Sequence, residues 1–217
     1  MRVIAKKTLR EFWEKHPDCE QQLKAWYQEA SKAQWKNTKV IKAEYPSASF
    51  LADIRIVFNI KGNHYRLIVK INYDYQMVWI RFIGTHAEYD KIDASKIYAM
   101  TVKPIKTKKD YSQAMERLEV LFDSKKGTSE GDELEVLGIL IEKYENEHFP
   151  VGLPDPIEAI KFRMEQLGYN QVDLAEVVGL KSRASEILNR KRKLSLDMIR
   201  QLHEKLHIPT DVLIQPY

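Results

Sequence analysis

This 217-residue chain has one cysteine, Cys19, which excludes an internal disulfide. Cys19 lies among polar residues in a helical pattern and reads as a lone reduced thiol rather than a nucleophile. No group of Cys and His has zinc-ligand spacing, so no metal is expected. Long apolar runs are missing as well. None approaches the ~20 residues that span a bilayer. The first ten residues, MRVIAKKTLR, lack the apolar core of a signal peptide. These absences lead to the expectation of a cytoplasmic protein with no membrane partner, no metal and no cofactor.

What is present is enough apolar matter for real cores, 44% of residues, and an uneven charge distribution. From Met1 to Ala99 there are 17 Lys and Arg against 11 Asp and Glu, a net of +6. From Asp110 to Pro150 there are 4 against 11, a net of −7. A basic segment beside an acidic one suggests two units with different partners, or partners for each other.

The periodicity changes along the chain. Residues 1–46 are helical: Leu9, Phe12 and Trp13, then Leu23, Trp26, Tyr27 and Ala30, recur at helical spacing. Residues 48–92 read as strands, with Phe50-Leu51, Ile54 to Ile60, Tyr65 to Asn72 and Met77 to Ile83 in an antiparallel meander and Gly62-Asn63 as turn chemistry. Helices followed by a meander make a small α+β domain over residues 1–97. Residues 98–109, polar and Lys-rich with Pro104, read as a linker. Residues 110–152 give two acidic amphipathic helices, one with Met115, Leu118, Leu121 and Phe122, the other with Leu134, Leu137, Ile141 and Tyr144. Such a hairpin reads as an interaction segment. Residues 153–217 form an all-α bundle.

The bundle is the most informative part. Asp155 caps a helix that starts at Pro156 and ends at Gly168. Asn170, with Asp173 three residues on, caps a short helix that Gly179 stops. A third helix runs from Ser182 to Asn189, Ser195 caps a fourth, and Thr210 caps a last turn. The spacing Gln171, Ala175, Gly179 permits the close crossing and tight turn of a helix-turn-helix. Residues 155–214 resemble the Cro/C1-type (Xre) helix-turn-helix family. One departure is Ser185, where the family usually has an aliphatic residue; Ala184, Ile187 and Leu188 supply the buried face instead. The resemblance implies that Lys181, Ser182, Arg183 and Glu186 read base edges, and that Asn170 and Gln171 hold phosphate at a helix N-terminus. Arg190 and Arg192, in the run from Asn189 to Lys193, would neutralise backbone charge. A domain of this size usually binds a palindrome as a dimer.

In the N-terminal domain, strict alternation places Ile80 and Phe82 on one face and Trp79 and Arg81 on the other, and Ile80 and Phe82 are expected to join the core with Leu67 and Val69. Arg66, Lys70, Trp79 and Arg81 then line one open surface, with His86 and Tyr89 at the strand end. Cations, aromatics and a histidine on one sheet face suit a phosphodiester chain. The run GNHYRLIVKINYDYQMVWIRFIGTHAEYDKI resembles the HigB-type toxins of the RelE superfamily, over about residues 1–97. Those toxins are small metal-independent endoribonucleases that cut mRNA, mostly on the translating ribosome. The resemblance implies that Arg66 stabilises the phosphate, that His86 is the acid/base group and that Tyr89 positions or transfers a proton. Lys70 belongs to the catalytic set, and Lys61, His64 and Arg81 to RNA binding. The bland alternatives are a structural His64, Tyr89 and Asp90 capping the sheet, and Arg81 pairing with a carboxylate.

From Met100 onward the chain resembles a HigA-type antitoxin, helical first and then a helix-turn-helix. Toxin before antitoxin is the order of HigBA pairs, and Met100 raises the question of two products joined. The expectation is a toxin–antitoxin protein. Its N-terminal mRNA endoribonuclease is neutralised by the rest, within or between chains, and its C-terminal domain represses its own operon. Residues 98–217 would not be an enzyme. Operator DNA, mRNA and the ribosome are the implied partners, and a homodimer or heterotetramer-like assembly is the implied state. The alternative is a helix-turn-helix regulator with a non-catalytic RelE-like binding domain.

Overall fold

The computed structural model describes residues 1–51, 54–62, 64–85, 104–179 and 181–217. The first part builds β1 (Arg2–Ile4), α1 (Lys6–Lys15), α2 (Glu20–Lys32), α3 (Thr38–Glu44), β2 (Ser49–Leu51), β3 (Arg55–Ile60), β4 (Tyr65–Asn72) and β5 (Met77–Gly84). The sheet order is β1-β5-β4-β3-β2. Strands β2 to β5 are the expected antiparallel meander, and β1 adds a parallel edge beside β5 that the periodicity of residues 1–46 does not reveal.

The register departs from strict alternation at one point. Val69 pairs with Ile80, but the next pair along is Ile68 with Phe82, so Arg81 is the extra residue of a bulge. The bulge turns Phe82 to the opposite face from Ile80, which corrects the expectation that both join the core. One face, with Leu67, Val69, Ile80 and Phe58, packs against α1, α2 and α3, where Trp26, Trp35 and Tyr45 surround the Phe58 ring at 5.5, 6.2 and 5.0 Å. The other face carries Arg2, Ile4, Met77, Trp79, Lys70, Ile68 and Arg66.

That second face is not open. Helices α4 (Lys108–Leu121) and α5 (Ser129–His148) lie against it. Helix α4 begins inside the segment read as a linker, because Thr107 and Asp110 form a reciprocal capping box. The hairpin is pinned by Arg117, whose Nε and Nη2 donate to Glu133 at 2.8 and 2.6 Å. Gly138 lets α5 approach β1 and β5; a Cβ there would sit 2.6 Å from Met77 Cε. The result is a three-layer arrangement of helices, sheet and helices.

The C-terminal bundle comprises α6 (Pro156–Leu167), α7 (Gln171–Val178), α8 (Lys181–Leu188), α9 (Leu196–Leu206) and α10 (Thr210–Leu213). Asp155, Asn170 and Ser195 cap as expected. The cap of α10 is Pro209, not Thr210, and it makes no side-chain hydrogen bond. Gly179 turns α7 into α8 at φ +101, a left-handed backbone that a β-carbon would strain. Helix α6 also docks on the first domain. Arg163 and Gln166, 2% and 1% exposed, lie where the bundle meets the first domain; Arg163 Nε donates to Leu206 O at the end of α9 and its Nη1 to Glu29 of α2. Gln166 donates to Asn59 O at 2.9 Å and accepts from Ser47 Oγ at 2.9 Å. No helix among the described residues is long and apolar enough to cross a membrane.

Candidate nucleic-acid sites

The expected cations of the first domain fall in two places. Arg66 and Lys70 share a face of β4, roughly 13 Å apart at strand rise. Burial pulls the Arg66 guanidinium below its usual value. Lys70 Nζ lies 2.6 Å from Asp123 Oδ2, the residue after Phe122 at the end of α4, and 5.7 Å from the Phe122 ring. Arg81, at the bulge, stacks its guanidinium 3.9 Å from the Trp79 ring and donates to Glu119 Oε1 at 2.8 Å. Trp79, 6% exposed, meets Phe122 at 5.2 Å between ring centres. The acidic hairpin therefore occupies the sheet face on which a phosphodiester was expected, and the acids that pair with Arg81 and Lys70 are its own.

Lys61 and His64 stand elsewhere, at the β3–β4 turn. Lys61 pairs with Asp18 at 2.5 Å, and His64 Nδ1 is 2.5 Å from Lys61 O. Both are tied into the turn, and Gly62 N–H donates to Glu165 Oε1 of α6 at 2.7 Å. His86 and Tyr89 lie outside the described residues. Cys19 is buried, its thiol donates to His16 O at 3.2 Å, and burial pushes its pKa up to about 12. A thiol so held is no nucleophile.

Two buried carboxylates that sequence reasoning missed sit where the second half meets the first. Glu145 of α5 accepts from Tyr111 Oη at 2.5 Å beside the start of α1, where Ala5 offers no side-chain cap. Burial raises its pKa to about 7, against the pull of Tyr111, of the Ala5 and Lys6 backbone and of the Lys6 ammonium. Glu29 of α2 accepts from Tyr45 Oη at 2.5 Å and from Arg163 Nη1 at 3.2 Å. Burial likewise lifts it to about 7, with Arg163 and Tyr45 opposing. A faint signal existed for the second: Arg163 and Gln166 are polar residues three apart on a helix with an otherwise apolar face.

On the bundle, Ser182 and Arg183 are exposed in the first turn of α8, which Lys181 opens. Asn170 accepts from the N–H groups of Val172 and Asp173, and Gln171 beside it is exposed. Ser185 is half-buried and its carbonyl accepts from Asn189 Nδ2 at 2.9 Å, while Ala184 and Ile187 face the core. Glu186 and Arg192 pair with each other, and Arg190 pairs with Asp155 and Glu158.

Comparison with known proteins agrees with both halves. Residues 19–92 match the family described as HigB_toxin, RelE-like toxic component of a toxin-antitoxin system, and residues 160–213 match a helix-turn-helix family. The chain is 33% identical over 92 residues to the mRNA interferase toxin HigB of Escherichia coli (strain K12), a match covering 42% of this chain and 88% of that protein. The mRNA interferase HigB of Shigella flexneri aligns to the same extent. The chain thus belongs to the HigB toxin family, with a Cro/C1-type helix-turn-helix domain following the toxin fold in the same polypeptide.

Proposed function

We propose that residues 1–97 are a metal-independent mRNA endoribonuclease, acting on the ribosome, that α4 and α5 hold silent. Residues 153–217 bind operator DNA as a dimer on a palindrome and repress the operon. The observation that carries this reading is that an acidic hairpin of the same chain covers the Lys70–Trp79–Arg81 face, burying Trp79 and pairing with Lys70 and Arg81. Opposite net charge steers and registers such a contact more than it tightens it.

The chemistry asks little of the protein. A base takes the proton of an RNA 2′-OH, the oxygen attacks the adjacent phosphorus, and an acid returns a proton to the departing 5′-oxygen. A cyclic phosphate and a 5′-hydroxyl result. Cations offset the charge that builds on the phosphorane. Arg66 and Lys70 supply that charge, His86 the acid/base step, and Tyr89 positions it; a histidine's intrinsic pKa suits the task near neutrality.

The test is growth. Cells induced for residues 1–97 should stop growing, and Arg66→Ala or His86→Ala in that fragment should restore growth. Equal growth with the unsubstituted, soluble fragment would leave a regulator with a non-catalytic binding domain.

A further inference from the structure

The loop after α8 carries four cations, Arg190 to Lys193, and Arg190 is the most firmly built in. Its Nη1 and Nη2 donate to Asp155 Oδ2 and Oδ1 at 2.8 and 3.0 Å, and Nη2 reaches Glu158 Oε1 at 3.3 Å. Two parallel hydrogen bonds from a guanidinium to one carboxylate fix direction as well as distance. The backbone of Arg190 is left-handed, φ 60. Its N–H donates to Ile187 O at 2.9 Å and the N–H of Lys191 to Glu186 O at 2.7 Å. That pair of bonds is a helix ending whose left-handed residue is most often glycine. An arginine there accepts backbone strain, which the bonds around it hold in place.

Its partner is held just as firmly. Asp155 Oδ1 caps α6, accepting from the N–H of Ile157 and Glu158 at 2.9 and 3.1 Å. The Asp155 N–H donates to Gln21 Oε1 of α2 at 3.0 Å. One residue thus heads α6, touches the toxin fold and holds Arg190. The far end of the loop is fastened too: Tyr217 Oη accepts from Leu194 N–H at 2.8 Å and donates to Arg192 O at 3.1 Å.

We propose that Arg190 is a positioning residue for DNA binding rather than a phosphate contact: its fork ties the basic loop to the first turn of α6, and Lys191 and Lys193 meet the phosphates. This rests on the reading of α6 to α10 as a DNA-binding domain.

Two conservative substitutions in the full chain separate the roles. Asp155→Asn keeps an equally good N-cap but removes the bidentate carboxylate, leaving Arg190 only the single contact to Glu158. Arg190→Lys keeps the charge but not the fork. Affinity is read by fluorescence anisotropy with the duplex directly upstream of the reading frame and with a scrambled duplex, alongside a thermal melt. A positioning role predicts about tenfold weaker binding for each variant, with the chain still folded and melting cooperatively at the assay temperature. A phosphate contact predicts the opposite sign for Asp155→Asn, because a less tightly held arginine and one acid fewer tighten binding. Wild-type affinity or better in either variant overturns the inference alone. Failure of the unsubstituted chain to hold either duplex overturns the DNA-binding reading and the inference together.

Discussion

The ring of Phe122, directly after α4, lies 5.2 Å from the ring of Trp79 on β5, and both are buried. Beside that contact stand Lys70 with Asp123 and Arg81 with Glu119, whose carboxylates are 72% and 42% exposed. Exposed ion pairs contribute about 0–1 kcal/mol each, whereas truncating a buried phenylalanine costs about 3–5 kcal/mol. The aromatic contact therefore holds the hairpin and the charges orient it. In the full chain, Phe122→Ala should slow the growth of expressing cells and lower the melting temperature. Glu119→Gln combined with Asp123→Asn should change neither. The reverse order of effects would assign the grip to charge.

Gly131, in the first turn of α5, has no room for a side chain. A Cβ there would sit 2.3 Å from both the Lys125 carbonyl oxygen and Tyr75 Oη. The carbonyl is backbone, so the turn itself must move. Gly131→Ala should destabilise the chain by about 1–3 kcal/mol, read in urea unfolding. A neutral result would mean the turn yields without cost.

Glu29 and Glu145 give the chain an acid-favoured stability. Burial raises both from 4.5 to about 7. A carboxyl that binds its proton more tightly when folded adds stability that is complete below its unfolded pKa and lost as pH rises through its folded pKa. The acids held low, Asp18, Glu130 and Asp155, titrate below this window. Melting temperature should therefore fall from pH 5 to pH 7.5, and Glu29→Gln or Glu145→Gln should each flatten the slope. A slope unchanged in both variants contradicts the assignment.

On the recognition helix, Arg183→Ala should cost about 1–3 kcal/mol on the operator and relax base preference at one position. Lys191→Ala should weaken operator and scrambled duplex alike and reduce the salt slope by about 1. Competition binding at two salt concentrations distinguishes them. Uniform loss from Arg183→Ala would remove it from the base-reading set.

Much of this architecture was legible because its signals are local. Turn residues, capping boxes such as Asn170 with Asp173, and the period of the apolar residues fix the meander and the bundle nearly to the residue. What escaped depends on distant partners. β1 is three residues long and, among the described residues, pairs with β5 alone, far along the chain. The bulge at Arg81 arises from the register with β4 and leaves no mark in the alternation of β5 itself. Arg81 read as an RNA contact or a carboxylate partner; its pairing with Glu119 depends on where α4 lands. The second docking helix, α6, hid its role because its stripe of Ile157, Ile160 and Met164 already accounted for a buried face, leaving Arg163 and Gln166 looking like surface residues.

The central claim is that the second half of the chain silences a nuclease in the first. Mapping transcript 5′ ends by primer extension in cells making residues 1–97, beside cells making residues 1–217, tests it most directly. The account predicts new 5′ ends inside messages with the fragment, none with the full chain, and none with the Arg66→Ala fragment. Intact transcripts in cells that accumulate soluble fragment, or equal cutting by the full chain, would contradict it.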